Sequence, residues 1–238
     1  MIWTFLPGLH GTEALYQPLK ERLPHGMATE FVNLPSKGKQ DYVTLALQLH
    51  KELPVCKNDK KRLLIAESFS GPLAIRLAAL RPDEIGGIVL ASSFCNAPLK
   101  RGIAISVALL PLRPLFLVKP TRSALRHFLI GDDVNDSELE VLRKVMEEIP
   151  SSTLSKRVRT IIELMQDDNP DLPDIPVLIL QAQNDNLVPW EAQSNLESYY
   201  PQAKTHWLEA PHLIFQRRPD ECLRHIMDFA SEIGSSCS

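Results

Sequence analysis

Short apolar runs rich in β-branched residues alternate with longer segments of helical periodicity along most of the chain, and few folds accommodate that alternation. Runs apolar on both faces belong to strands buried between layers, so the pattern predicts a mainly parallel sheet with helices on both faces, an α/β architecture. The expected strands are Ile2 to Leu6, Glu30 to Asn33, Arg62 to Ala66, Ile85 to Ser92, Val177 to Ala182 and Lys204 to Leu208. Asp41 to Leu53, Pro72 to Leu80, Pro189 to Tyr199 and Pro219 to Ala230 read as helices, the last carrying Leu223, Ile226, Met227 and Ala230 along one face.

From Ala97 to about Gln166 the alternation stops and only helical pattern continues. Leu139, Leu142, Val145, Met146 and Ile149 line one face there. After Pro150 and the possible cap residues Ser151 and Ser152, a second face carries Leu154, Val158, Ile161, Ile162 and Met165. The Asp- and Pro-rich stretch "DDNPDLPDIP" then returns the chain to the apolar run "VLILQAQ". At 238 residues the chain fits one domain, residues 1–238, with residues 97–166 inserted in it as a helical segment.

Composition removes several alternatives. A formal net charge of −3 offers no basic excess for a phosphate backbone, so nucleic acid is not an expected partner. Cys56, Cys95, Cys222 and Cys237 follow neither a metal-ligand spacing nor a disulfide framework, which reads as reduced thiols in a cytoplasmic protein. "MIWTFLPGLHG" lacks the charged flank and apolar length of a signal peptide. The apolar stretch from Ile103 to Val118 falls short of the ~20 residues of a membrane span and contains Pro111, Arg113 and Pro114, so no stable membrane insertion is expected.

The chemistry is concentrated in "IAESFSGPLA", where Ser68 follows an apolar strand and precedes a helix. A serine that attacks a carbonyl must project from a sharp strand-to-helix turn, and the crowding of that turn demands small residues two before and two after it. Ala66 and Ser70 meet the demand, with Gly71 following. Were Ser70 the nucleophile, the Pro72 ring would occupy the tight side of the turn; Pro72 fits instead as a first-turn helix residue. Taken alone the string also suits an ordinary polar turn, so the rest of the chain has to decide.

A serine hydroxyl needs a histidine to take its proton and a carboxylate to orient that histidine. Asp185 in "NDNLVP" and His212 in "APHLIFQRRPDE" each follow an expected strand, at the carboxyl ends where an open parallel sheet gathers reactive groups. Individually, Asp185 also reads as a helix-capping carboxylate and His212 as a loop histidine bonded to backbone. Two amides complete the machinery by receiving the oxyanion. Phe69 N–H follows the nucleophile, and Leu9 N–H in "FLPGLHGT" comes from the loop after the first strand. His10 has a minor role at most in this reading, and His206, inside a strand, a structural one.

With "LPGLHGT" as oxyanion loop, "AESFSG" as elbow, "NDNLVP" as acid turn and "APHLIFQRRPDE" as histidine loop, the chain resembles the α/β-hydrolase family over essentially its whole length. The resemblance implies an α/β-hydrolase fold in which the 97–166 insertion is a lid. Pro7 stands in place of the histidine of the common oxyanion loop, and Glu67 where histidine often precedes the serine. A charge on Glu67 near His212 would favour the imidazolium. "VLASSFCNAP" and "EAPHLIFQRRPDECLRHI" look like the small carboxylesterases that include the pimeloyl-carrier-protein methyl esterases, in which basic lid residues meet the carrier; Arg113, Arg122 and Arg126 are the counterparts to consider, or simply a solvated basic face.

The expected activity is therefore cleavage of a carboxylic ester, small or carried on an acyl carrier, by Ser68, His212 and Asp185 through an acyl-enzyme, with neither metal nor organic cofactor. Leu109, Leu110, Leu112, Leu115 and Phe116 in the insertion suggest an apolar substrate. A thioesterase, an aminopeptidase-like amide hydrolase and a ligand-binding receptor that uses a hydrolase pocket are the alternatives.

Overall fold

The computed structural model describes residues 1–57, 60–98, 121–164, 169–172 and 174–235. Of the residues named above, the stretch 103–118 with residues 109, 110, 112, 113, 115 and 116, and residues 165, 166 and 237, lie outside the described residues. Each expected strand is present: β1 Ile2–Leu6, β2 Thr29–Phe31, β3 Arg62–Glu67, β4 Ile85–Ala91, β5 Val177–Ala182 and β6 Lys204–Leu208. They form one sheet in the order β2-β1-β3-β4-β5-β6, with every pairing parallel. The longer helices are α1 Tyr42–Glu52, α2 Gly71–Leu80, α3 Asp136–Glu148, α4 Ser151–Glu163, α5 Trp190–Tyr199 and α6 Pro219–Ser235.

The side-chain alternation of the strands divides the core in two. Leu64, Ala66, Ile88, Leu90 and Ile179 pack on one face with Leu45 and Leu49 of α1, Leu73 and Leu77 of α2 and Leu196 of α5. Leu63, Ile65, Val89, Leu178 and Leu180 face the other way, onto Cys222, Ile226, Phe229 and Ile233 of α6. A third cluster holds α3 against the body: Leu139, Leu142 and Val145 meet Leu15 and Leu213. Cys56, Cys95 and Cys222 are free thiols.

Several boundaries shift by a residue or so from expectation, and three differences have a visible cause. β2 ends at Phe31 because, after the Val32 amide donates to Phe5 O, the chain leaves the ladder and the Leu34 amide donates to Gly11 O instead. α6 runs beyond Ala230 to Ser235 because Ile233 continues its buried stripe. Ser151 and Ser152 lie within α4, which has no side-chain cap; α3 by contrast is capped by Asn135, in a reciprocal capping box with Glu138. No helix among the described residues is long and apolar enough to cross a membrane.

From β1 the chain moves outward to β2 and then returns to the other side of β1 as β3, so the loops after β1 and β3 diverge from neighbouring strand ends. Such a switch point leaves a crevice beyond the carboxyl ends of the strands. Here the crevice is cross-tied: Ser70 Oγ donates to Pro7 O from the β3 side to the β1 loop, and Ser93 Oγ, just past β4, donates to Ser68 O at 2.8 Å.

Candidate active site

β3 is buried throughout and ends at Glu67 in extended conformation; Ser68 then turns to φ 49° and opens a helical turn, Ser68–Ser70, that runs into α2. A left-handed conformation costs a non-glycine residue roughly 1–2 kcal/mol. The hydrogen bond from Ser93 to the Ser68 carbonyl is one contact that holds it. Gly71 is required by close approach, since a Cβ there would lie 1.8 Å from Ser93 Oγ. Pro72 occupies the first turn of α2, and Ser70, fully buried, spends its hydroxyl on Pro7 O.

The loop after β6 returns over the sheet end and carries His212, 2% exposed, with Nε2 2.9 Å from Ser68 Oγ and Nδ1 2.7 Å from Asp185 Oδ2. Asp185 is set by its own turn: Oδ1 accepts from the Leu187 and Val188 amides, each at 2.8 Å, which leaves Oδ2 for the imidazole. With Nδ1–H donated to the carboxylate, Nε2 presents its lone pair to the serine hydroxyl. Trp190, at the start of α5 just after the Asp185 turn, stacks on Trp207 of β6 with ring centroids 4.3 Å apart. His206 stacks on His225 and takes no part in the arrangement.

A cavity of about 270 Å³ opens onto Ser68 and His212. Its wall is apolar and comes largely from outside the sheet: Leu142 and Met146 of α3, and Val158, Ile161 and Ile162 of α4. Leu9 and His10 complete the wall on the β1 side. His10 is buried, and the cost of burying charge brings its pKa down to about 4, so it is neutral and apart from the Ser68–His212–Asp185 line. Phe69 is buried, its ring against Tyr42 at 5.0 Å. Among the described residues no cluster of His, Cys, Asp and Glu forms a metal site.

Two charged residues beside the site are more deeply engaged than the sequence suggests. Glu67 is fully buried, and neither carboxyl oxygen makes a well-formed hydrogen bond. Burial raises its pKa, against the opposing influence of a charged His212 and the nearby Gly8 amide and Gln216 side chain. Arg157 of α4 is also buried and reaches the loop after β1, where Nη1 donates to Leu9 O at 2.8 Å. Sequence reasoning missed it, although it falls on the apolar stripe of α4, between Leu154 and Ile161, where a cation has to be accounted for. By contrast Arg122 and Arg126 both pair with Asp136.

No protein-family model matches the chain, and no curated protein matches it in sequence. Solved structures match over nearly all of it. An enol-lactonase from Burkholderia xenovorans LB400 superposes with a TM-score of 0.74 at 16% identity, covering 97% of this chain and 91% of that one. An esterase from Thermogutta terrifontis gives 0.73 at 18% identity, with 98% and 90% covered. MenH from S. aureus gives 0.77 at 16% identity, with 98% and 94% covered. The chain has the α/β-hydrolase fold.

Proposed function

We propose that the protein is a serine ester hydrolase acting on a small substrate with an apolar acyl group. The observation that carries this reading is the continuous hydrogen-bonded line from Asp185 through His212 to Ser68, at 2.7 and 2.9 Å, on the wall of an apolar cavity. In this mechanism Ser68 Oγ attacks the ester carbonyl as His212 Nε2 takes its proton. The tetrahedral oxyanion is received by the Leu9 and Phe69 amides. His212 then gives the proton to the departing alkoxide, which leaves as the alcohol, and a water activated by the same imidazole releases the acid and restores Ser68. Every step uses groups of the chain and water, so neither metal nor cofactor enters the scheme.

Helices α3 and α4 act as the lid over the cavity, and the apolar wall they contribute selects the acyl side. Neighbours described as esterases and a lactonase favour an oxygen ester over a thioester or amide. The pairing of Arg122 and Arg126 with Asp136 favours a free small molecule over a carrier-bound one. Scattered cysteines, free at all three described positions, suit a cytoplasmic location. The direct test is a fluorophosphonate probe on the native protein: an adduct mapped to Ser68 by peptide mass analysis is expected, and absence of labelling overturns the reading.

The rate depends on pH through His212, which acts only when neutral. Burial by itself would lower its pKa, but the charge and hydrogen bond of Asp185, with the charge of Glu67, outweigh burial and hold it above the ordinary 6.5. Activity is therefore lost as pH falls through that raised value. Glu67→Gln removes one of the supports, so the acid limb of the kcat/KM profile moves to lower pH; an unmoved or raised limb contradicts the assignment. The same substitution alters stability with a definite sign. A carboxyl raised on folding stabilises below its ordinary 4.5 and loses that contribution as pH rises through its folded value, so the wild-type protein loses stability over this range relative to Glu67→Gln.

A further inference from the structure

We infer that Arg157 is a positioning residue for the oxyanion loop, an inference that rests on the reading of Leu9 and Phe69 as oxyanion donors. Arg157 is 1% exposed, and among the described residues no carboxylate pairs with its guanidinium. An unpaired buried cation is costly, so its retention needs compensation by hydrogen bonds. The planar fork finds three acceptors in three directions: Nε donates to Gln40 Oε1 at 2.9 Å, Nη1 to Leu9 O at 2.8 Å and Nη2 to Pro35 O at 3.0 Å. Gln40 is itself anchored, its amide donating to Pro35 O and Lys37 O at 3.1 Å each. The residue therefore joins α4 to the β1 loop rather than reaching for solvent or for an acidic partner.

Two further observations describe what surrounds the guanidinium. It lies over the Phe69 ring, 5.8 Å from its centroid, so the group that bonds the Leu9 carbonyl also approaches the side chain of Phe69. At Gly11, φ is +76° and a Cβ would fall 2.1 Å from Nη1, so the turn that returns the loop is open only to glycine while Arg157 fills the space. Burial lowers the guanidinium pKa to about 10, which leaves it charged at neutral pH. A charged donor on the Leu9 carbonyl limits rotation of the peptide that follows Leu9 and hence the freedom of the segment that presents the Leu9 N–H. Because Arg157 belongs to α4, which also lines the cavity, the helix that contacts the acyl group would also set the oxyanion geometry.

Arg157→Lys and Arg157→Gln test this in the full chain, with urea denaturation verifying that each is folded. Lysine keeps a charge but not the three-way fork, and glutamine keeps neither. The first readout is amide hydrogen exchange: both variants are expected to exchange faster over residues 8–11, with α2 unchanged. The second is kinetic: kcat falls about 10–100-fold, KM stays within about 3-fold, and affinity for a boronic acid that mimics the tetrahedral state falls in parallel with kcat, glutamine being the worse. Unchanged exchange over 8–11 in a folded variant overturns the inference, as does a rise in KM alone. If the wild-type protein neither labels at Ser68 nor cleaves esters while the variants still loosen residues 8–11, positioning of the loop by Arg157 stands and the hydrolase reading falls.

Discussion

Ser68→Ala lowers ester turnover by about 10⁴–10⁶-fold while the folded state is retained. In the proposed mechanism the size of the loss follows from nucleophile and base acting as one unit: without Oγ, the imidazole at 2.9 Å has no proton to take and no acyl-enzyme can form. The fold is spared because the described hydrogen bonds of Ser68 beyond that one involve its backbone, including the Ser93 bond to its carbonyl. Alanine is smaller than serine and also carries a Cβ, so φ 49° strains the two residues alike. Steady-state rates on an aryl ester, beside a urea midpoint, check both halves. Ser70→Ala is the control: its hydroxyl is committed to Pro7 O, so losing it loosens the loop without removing the chemistry. Near-normal turnover in Ser68→Ala would end the assignment.

Asp185→Asn costs about 10³–10⁴-fold in kcat, and the reason is one of tautomer rather than of charge alone. Oδ1 of Asp185 accepts from the Leu187 and Val188 amides, and an asparagine keeps those bonds only by placing its own oxygen there. Its NH₂ then replaces Oδ2 at 2.7 Å from His212 Nδ1 and donates to it. The ring proton is driven to Nε2, where it points at Ser68 and blocks proton acceptance. Kinetics on the variant, with NMR of the imidazole NH to identify the protonated nitrogen, distinguish this from simple loss of charge. A proton still on Nδ1 in a poorly active variant would contradict the explanation.

How much of this was legible beforehand depended on whether the signal was local. β3, β4 and β5 are buried on both faces, so "LLIA" and "VLIL" declare themselves through continuous apolar runs. β2 is an edge strand with only partly buried residues, and its end is decided by a bond to Gly11 O that no short-range pattern encodes. Ser68, Asp185 and His212 sit in turns whose small residues and prolines are required by local geometry, which is why they were identifiable from short strings. The stripe Leu154, Val158, Ile161 and Ile162 was visible as an apolar face, but periodicity says only that a face is buried. That Val158, Ile161 and Ile162 face a cavity beside Ser68, and that Arg157 meets Leu9, are facts of tertiary distance. The capping box of Asn135 and Glu138 is by contrast a local signal, carried by residues three apart in the sequence.

The stacked Trp190–Trp207 pair gives the molecule an optical handle on its own chemistry. One indole follows the turn that holds Asp185 and the other precedes the loop that holds His212, whereas Trp3, the remaining tryptophan of the sequence, is buried in β1. Coupled indole transitions are sensitive to small changes in separation and tilt, so circular dichroism and emission from this pair register whether the two loops keep their mutual registry when a substrate or inhibitor enters.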